Sequence, residues 1–135
     1  MRFVDTSFWI GLQVPRDQRH GDAAAVWRQN DQPLCTTTLV LGETWTFLTR
    51  RADHGAAVRF LDLVEQSPMI SITASNERID ARAWQWLRQH DERVYSYVDA
   101  TSFETMRQKR LTEALAFDGD FAAAGFIEVR PSPAG

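Results

Sequence analysis

Four carboxylates stand where apolar runs stop or helices begin. Asp5 follows Arg2-Phe3-Val4 and precedes Thr6-Ser7; Glu43 lies inside the run from Leu39 to Arg51; Asp99 sits in Val98-Asp99-Ala100-Thr101; Asp118 ends Glu113-Ala114-Leu115-Ala116-Phe117. In a parallel α/β sheet, strand ends and the helix starts that follow them share one edge, so at least three of these acids can converge there. Carboxylates a few ångströms apart repel and raise one another's pKa, a cost that a divalent cation removes. An all-oxygen set without cysteine or histidine favours Mg²⁺ or Mn²⁺ over zinc, and such ions usually keep waters and bind phosphates. Two of the acids also have a plainer reading: Asp5 can cap the helix that starts near Ser7, and Glu43 can pair with a neighbouring arginine.

Those acids need elements to carry them. Residues 2–5 read as a buried strand, followed by a short helix through Leu12 that Val14-Pro15 breaks. A second helix runs from His20 to near Asn30, and Leu34–Thr38 is a short β-prone run. Residues 39–51 are helical, and the spacing of Val40, Glu43 and Phe47 puts the carboxylate on an apolar face, where it must find a cation, a metal or a rim position on a cleft. A helix from Gly55 to Glu65, a strand over 69–73, a helix with the stripe Ile79, Ala83, Trp86 and Leu87, a helix beginning near Asp99, and strands over 113–117 and 126–129 complete the chain. Strands alternate with helices at lengths that suit right-handed parallel crossovers, so the fold class is α/β with helices on both faces.

At 135 residues one core suffices, and such a chain buries about two-thirds of its unfolded surface without staples. A single domain is expected over 1–130, with 131–135 a flexible tail. Hydrophobic residues make up 44% and charged residues 24%, the balance of a packed globular protein. The one cysteine, Cys35, lies in an apolar context and excludes a disulfide framework. The three histidines are far apart and read as surface residues. With no membrane-length apolar run and no basic leader, a soluble cytoplasmic protein is expected. The net charge of −3 gives no global signature of a nucleic-acid binder. All but one of the fifteen basic residues are arginine, whose forked guanidinium suits phosphate. Arg50-Arg51 and Arg107-Gln108-Lys109-Arg110 form local clusters that can hold RNA, although base composition can equally produce them.

Taken together, Val4-Asp5-Thr6-Ser7, Leu41-Gly42-Glu43-Thr44, Val98-Asp99-Ala100-Thr101 and Ala116-Phe117-Asp118-Gly119-Asp120-Phe121 resemble, in order and spacing, the motifs of PIN-domain ribonucleases of the VapC toxin type. The resemblance covers nearly the whole chain. It implies a three-layer α/β/α sandwich around a mostly parallel sheet of four to five strands. It also implies Mg²⁺-dependent endonucleolytic cleavage of RNA, with Mn²⁺ able to substitute. Asp5, Glu43, Asp99 and Asp118 would hold one or two ions, and Asp120 is the second choice for the fourth place. Thr6, Ser7 and Thr101 would support the acids through hydrogen bonds, or else cap helices. A homodimer and a small VapB-like antitoxin are implied as partners. The chain departs from the family pattern at Ala116, where a threonine is common.

Two other classes fit parts of the pattern. A Mg²⁺-dependent phosphatase of the haloacid dehalogenase type would place a second aspartate two residues after Asp5, where Ser7 stands. A catalytically silent PIN-like module that binds RNA or protein would not need all four acids.

Overall fold

A computed structural model describes residues 1–133. Five strands, β1 (Arg2–Val4), β2 (Leu34–Thr37), β3 (Ile70–Thr73), β4 (Glu113–Leu115) and β5 (Ile127–Glu128), form one sheet in the order β3-β2-β1-β4-β5. Every pairing is parallel. Seven helices connect and flank the strands: α1 (Thr6–Gln13), α2 (His20–Gln29), α3 (Thr38–Arg51), α4 (His54–Gln66), α5 (Glu77–Gln89), α6 (Tyr97–Gln108) and α7 (Asp120–Ala123).

Successive strand residues point to opposite faces, and Phe3 and Val4 of β1 are both fully buried. The sheet is therefore covered on both sides, as parallel sheets require. Phe3 stacks on Phe121 of α7 with ring centroids 6.0 Å apart, and Phe8 of α1 stacks on Phe117 at 5.8 Å. Cys35 is free and buried in β2. No described helix is long and apolar enough to cross a membrane.

The chain path through the sheet decides where a ligand can bind. From β1 the chain moves outward through β2 to β3, then returns to β4 on the other side of β1 and moves outward again to β5. The switch point lies between β1 and β4, and open α/β sheets hold ligands outside the carboxyl ends of the strands at that point.

Several elements differ from the expectation. The strand expected over 113–117 ends at Leu115, because the Phe117 amide donates to Ser7 Oγ at 3.0 Å and the Ala116 carbonyl accepts from Arg130 Nη1 at 2.7 Å. Those groups are diverted from the ladder. The last strand is shorter than 126–129, and α7 was not foreseen. In α5 the buried residues are Ile79 and Ala83, with Trp86 and Leu87 half-buried. The 131–135 segment begins docked: the Ser132 amide donates to Gln29 Oε1 at 2.8 Å, and Gln29 Nε2 donates back to the Ser132 carbonyl at 3.2 Å. Residues 134–135 of that expected tail lie outside the described residues.

Candidate active site

Asp5 is the first residue after β1 and Asp118 the third after β4, and Val4 and Leu115 are register partners, so both acids emerge at the switch point. Asp5 is also the N-cap of α1: its Oδ2 accepts from the Ser7 amide at 3.1 Å and from Ser7 Oγ at 2.7 Å. Capping and site membership are thus one arrangement. Ser7 Oγ in turn accepts from the Phe117 amide, which ties the end of β1 to the segment leading into Asp118.

Asp99 arrives from a helix. It is the third residue of α6 and closes a capping box, in which Ser96 Oγ accepts from the Asp99 amide at 2.9 Å and Asp99 Oδ2 accepts from the Ser96 amide at 2.9 Å. Both backbone donors at the helix start are satisfied, and the carboxylate is held in one orientation. Asp120 begins α7 after Gly119, whose φ of +83° makes the tight turn between the two acids. The Asp120 amide donates to Asp118 Oδ1 at 3.2 Å.

Asp99, Asp118 and Asp120 each offer a carboxylate oxygen within 4.8 Å of the others. Among the described residues they form the one group of three or more metal-ligating side chains. Burial pushes Asp5 up to about 7, with added repulsion from Asp118 and Asp99. Asp99 is raised to about 6 by burial and by Asp118 and Asp120, against the lowering effect of the Ser96 amide. Asp118 reaches solvent, yet partial desolvation and the charges of Asp120 and Glu128 raise it too. Crowded carboxylates with raised pKa values are the state a divalent cation relieves. An all-carboxylate donor set suits a hard cation.

Glu43 does not lie on the buried stripe of α3. Val40, Thr44 and Leu48, spaced by four, face the core, while Gly42, Glu43, Thr46 and Arg50 face solvent. The acid takes the rim position instead. It borders an open groove of about 730 Å³ lined also by Leu39, Phe47, Arg50, Arg51 and Val98. Val98 adjoins Asp99, and Phe47 also lines a second hollow that holds Ser7 and Asp118, so the groove runs along the acidic edge. Glu43 stands outside the group formed by Asp99, Asp118 and Asp120.

The supporting hydroxyls divide. Ser7 holds Asp5, whereas Thr101 Oγ1 donates to the Val98 carbonyl at 2.8 Å within its own helix. Thr6 Oγ1 is buried without a hydrogen-bond partner. The basic clusters divide as well. Arg50 and Arg51 line the groove, and the Arg51 guanidinium lies 4.9 Å from the centre of the Phe47 ring. Arg107, Lys109 and Arg110 stand at the far end of α6. Arg107 lies eight positions beyond Asp99, about 12 Å along the helix. Arg107 there is 3.6 Å from Glu104 and stacks over Trp86 and Phe126. Of the two basic clusters expected to hold RNA, the direction of α6 places this one away from the acids.

Two residues at the site were not anticipated. Glu128 of β5 accepts from the Gly119 and Ala122 amides and pins the α7 turn. Arg93 donates to Asp120 and to the Asp118 carbonyl. Neither leaves a mark in the local sequence, since each partner comes from another element.

The family model for the PIN domain matches residues 2–127. The chain belongs to the PIN-domain family. It is 50% identical over 131 residues, 97% of this chain and 99% of the relative, to the 23S rRNA-specific endonuclease VapC20 of two Mycobacterium tuberculosis strains. The crystal structure of Mycobacterium tuberculosis VapC20, described as a sarcin-ricin loop cleaving toxin, superposes with a TM-score of 0.93 at 48% identity, covering 97% of this chain and all of that one. FitAcB from Neisseria gonorrhoeae shares the fold, with a TM-score of 0.66 at 17% identity over 95% of this PIN-domain chain and 96% of its own. The chain is thus a homologue of VapC toxin endoribonucleases.

Proposed function

We propose that this PIN-domain protein is a Mg²⁺-dependent endoribonuclease, the toxin of a toxin–antitoxin pair, acting in the cytoplasm on a sarcin-ricin type loop of 23S rRNA. The observation that carries this reading is the convergence of Asp5, Asp99, Asp118 and Asp120 at the β1/β4 switch point with carboxyls raised by burial and mutual repulsion. Asp99, Asp118 and Asp120 would hold the ion, with Asp5 adjoining from the end of β1 and Glu43 on the rim of the neighbouring groove. A bound Mg²⁺ or Mn²⁺ would supply Lewis acidity that makes water nucleophilic and neutralises charge on the cleaved phosphodiester.

The chain's own residues do the rest. Ser7 and the Ser96 amide fix the Asp5 and Asp99 carboxylates, so the donor set is oriented before any ligand arrives. Arg50 and Arg51 line the groove that leads to the acids and hold RNA phosphates there. The relatives' names support RNA as substrate, and the same kinship supports a VapB-like antitoxin and a second copy of this chain, as a homodimer, for partners.

The test is direct. Purified protein is incubated with 23S rRNA in Mg²⁺, in Mn²⁺ and in EDTA, and the ends are mapped by primer extension. One cut in the sarcin-ricin loop that needs the metal is expected. Intact rRNA under all metal conditions, or cleavage indifferent to EDTA, would overturn the proposal.

A further inference from the structure

Arg93 sits in the turn between α5 and α6, and no step above uses it. Its Nε lies 3.0 Å and its Nη2 2.9 Å from the same oxygen, Asp120 Oδ1, and Nη2 is 3.3 Å from the Asp118 carbonyl oxygen. Between these two acceptors stands Gly119, where an added Cβ would come within 3.4 Å of Nη2. The backbone is bare where the guanidinium lies against it. On the other side Arg93 is exposed, in a run whose neighbours Asp91, Glu92 and Val94 are exposed as well.

An exposed arginine–aspartate pair is ordinarily weak. This one differs in its acid, because Asp120 belongs to the group of three carboxylates whose oxygens lie within 4.8 Å of one another. In the protein without metal, the guanidinium supplies positive charge at that group. A divalent cation bound by the same carboxylates would repel the guanidinium and compete with it for Asp120. Arg93 is exposed, so a side-chain rotation can release it while its backbone stays in place. Its planar fork also matches a phosphate better than a lysine would.

We propose that Arg93 is the resident counter-cation of the metal-free site, which yields Asp120 to a divalent cation and then takes up an RNA phosphate at the mouth of the cleft. The inference rests on the metal-dependent reading of the acidic site. Mn²⁺ is titrated calorimetrically into the full chain as wild type, Arg93→Gln and Arg93→Lys. Arg93→Gln should bind Mn²⁺ about five- to tenfold more tightly, because the competing charge is gone, and Arg93→Lys should fall between. With saturating Mn²⁺, Arg93→Gln should raise KM for 23S rRNA with little change in kcat and flatten the salt dependence of RNA binding by about one counterion. Absence of Mn²⁺ binding by the wild type would remove the metal reading itself. Wild-type binding with equal or weaker affinity in Arg93→Gln would leave that reading standing and overturn the counter-cation. Tighter metal binding with KM and salt slope unchanged would overturn the transfer to phosphate.

Discussion

Asp5 does two things that separate under substitution. As N-cap of α1 it accepts from the Ser7 amide, and asparagine caps about as well as aspartate. As a carboxylate among carboxylates it carries charge that its surroundings oppose. Asp5→Asn is therefore expected to abolish RNA cleavage, leave metal-free stability equal or slightly higher, and reduce the rise in melting temperature on adding Mg²⁺. Cleavage rate, metal-free melting temperature and its Mg²⁺-induced shift, measured on the one variant, check all three. The same residue sets a pH dependence. Asp5 and Asp99 titrate at about 7 and about 6 in the folded protein against the usual 3.8. Between these limits the folded state keeps protons that the unfolded chain has released, so stability present below about pH 4 is lost as pH rises through 6 and 7. The metal-free melting temperature should fall across that window in thermal scans, less steeply in Asp5→Asn. Added Mn²⁺ should restore it above pH 7, since a ligand of the folded state alone stabilises that state.

At the scale of elements, α6 delivers Asp99 through its first turn. The capping box makes the start of the helix and the orientation of the carboxylate the same structure. Ser96→Ala removes the side-chain acceptor of the Asp99 amide and should cost about 1 kcal/mol in denaturant unfolding. The Ser96 backbone amide still donates to Asp99 Oδ2. Mn²⁺ affinity should accordingly weaken only a few-fold, far less than in Asp99→Asn, where the charge is lost. Equal losses in the two variants would mean that the Ser96 hydroxyl, not the backbone amide, holds the ligand. The α7 turn is pinned in a comparable way by Glu128 from the neighbouring strand, so the acids on this edge are supported from two directions.

At the scale of the whole molecule, the two basic clusters stand in different places relative to the acids. Helices that follow parallel strands run back across the sheet, so a helix start lies on the acidic edge and its end on the opposite one. Arg50 and Arg51 escape this rule because the groove along α3 extends past their turn. Arg50→Ala combined with Arg51→Ala should weaken RNA binding and lower its salt slope by about two. Arg107→Ala, on the opposite edge, should leave the slope unchanged and lower stability slightly through its lost contacts with Glu104, Trp86 and Phe126. Fluorescence-anisotropy titrations of an RNA stem-loop across a salt series separate the two.

The amino-acid pattern by itself determined the alternation of strands and helices, the burial of residues such as Phe3, Val4 and Cys35, and the placing of Asp5, Asp99 and Asp118 at element boundaries. Those features are local: periodicity and capping chemistry are written within a dozen residues. What the tertiary structure decided is which distant groups meet. Glu43 turned outward because the buried stripe of α3 follows Val40, Thr44 and Leu48, a choice set by α4 and α1, against which the helix packs, and not by the helix alone. Asp120 joined the acids through a left-handed glycine and a four-residue helix too short to leave a periodic signal. Ser7 and Phe117, 110 residues apart, meet because β1 and β4 are neighbours. Arg93 finds Asp120 because the turn before α6 reaches the same edge. Strand order and register bring these pairs together, and no local spacing encodes either.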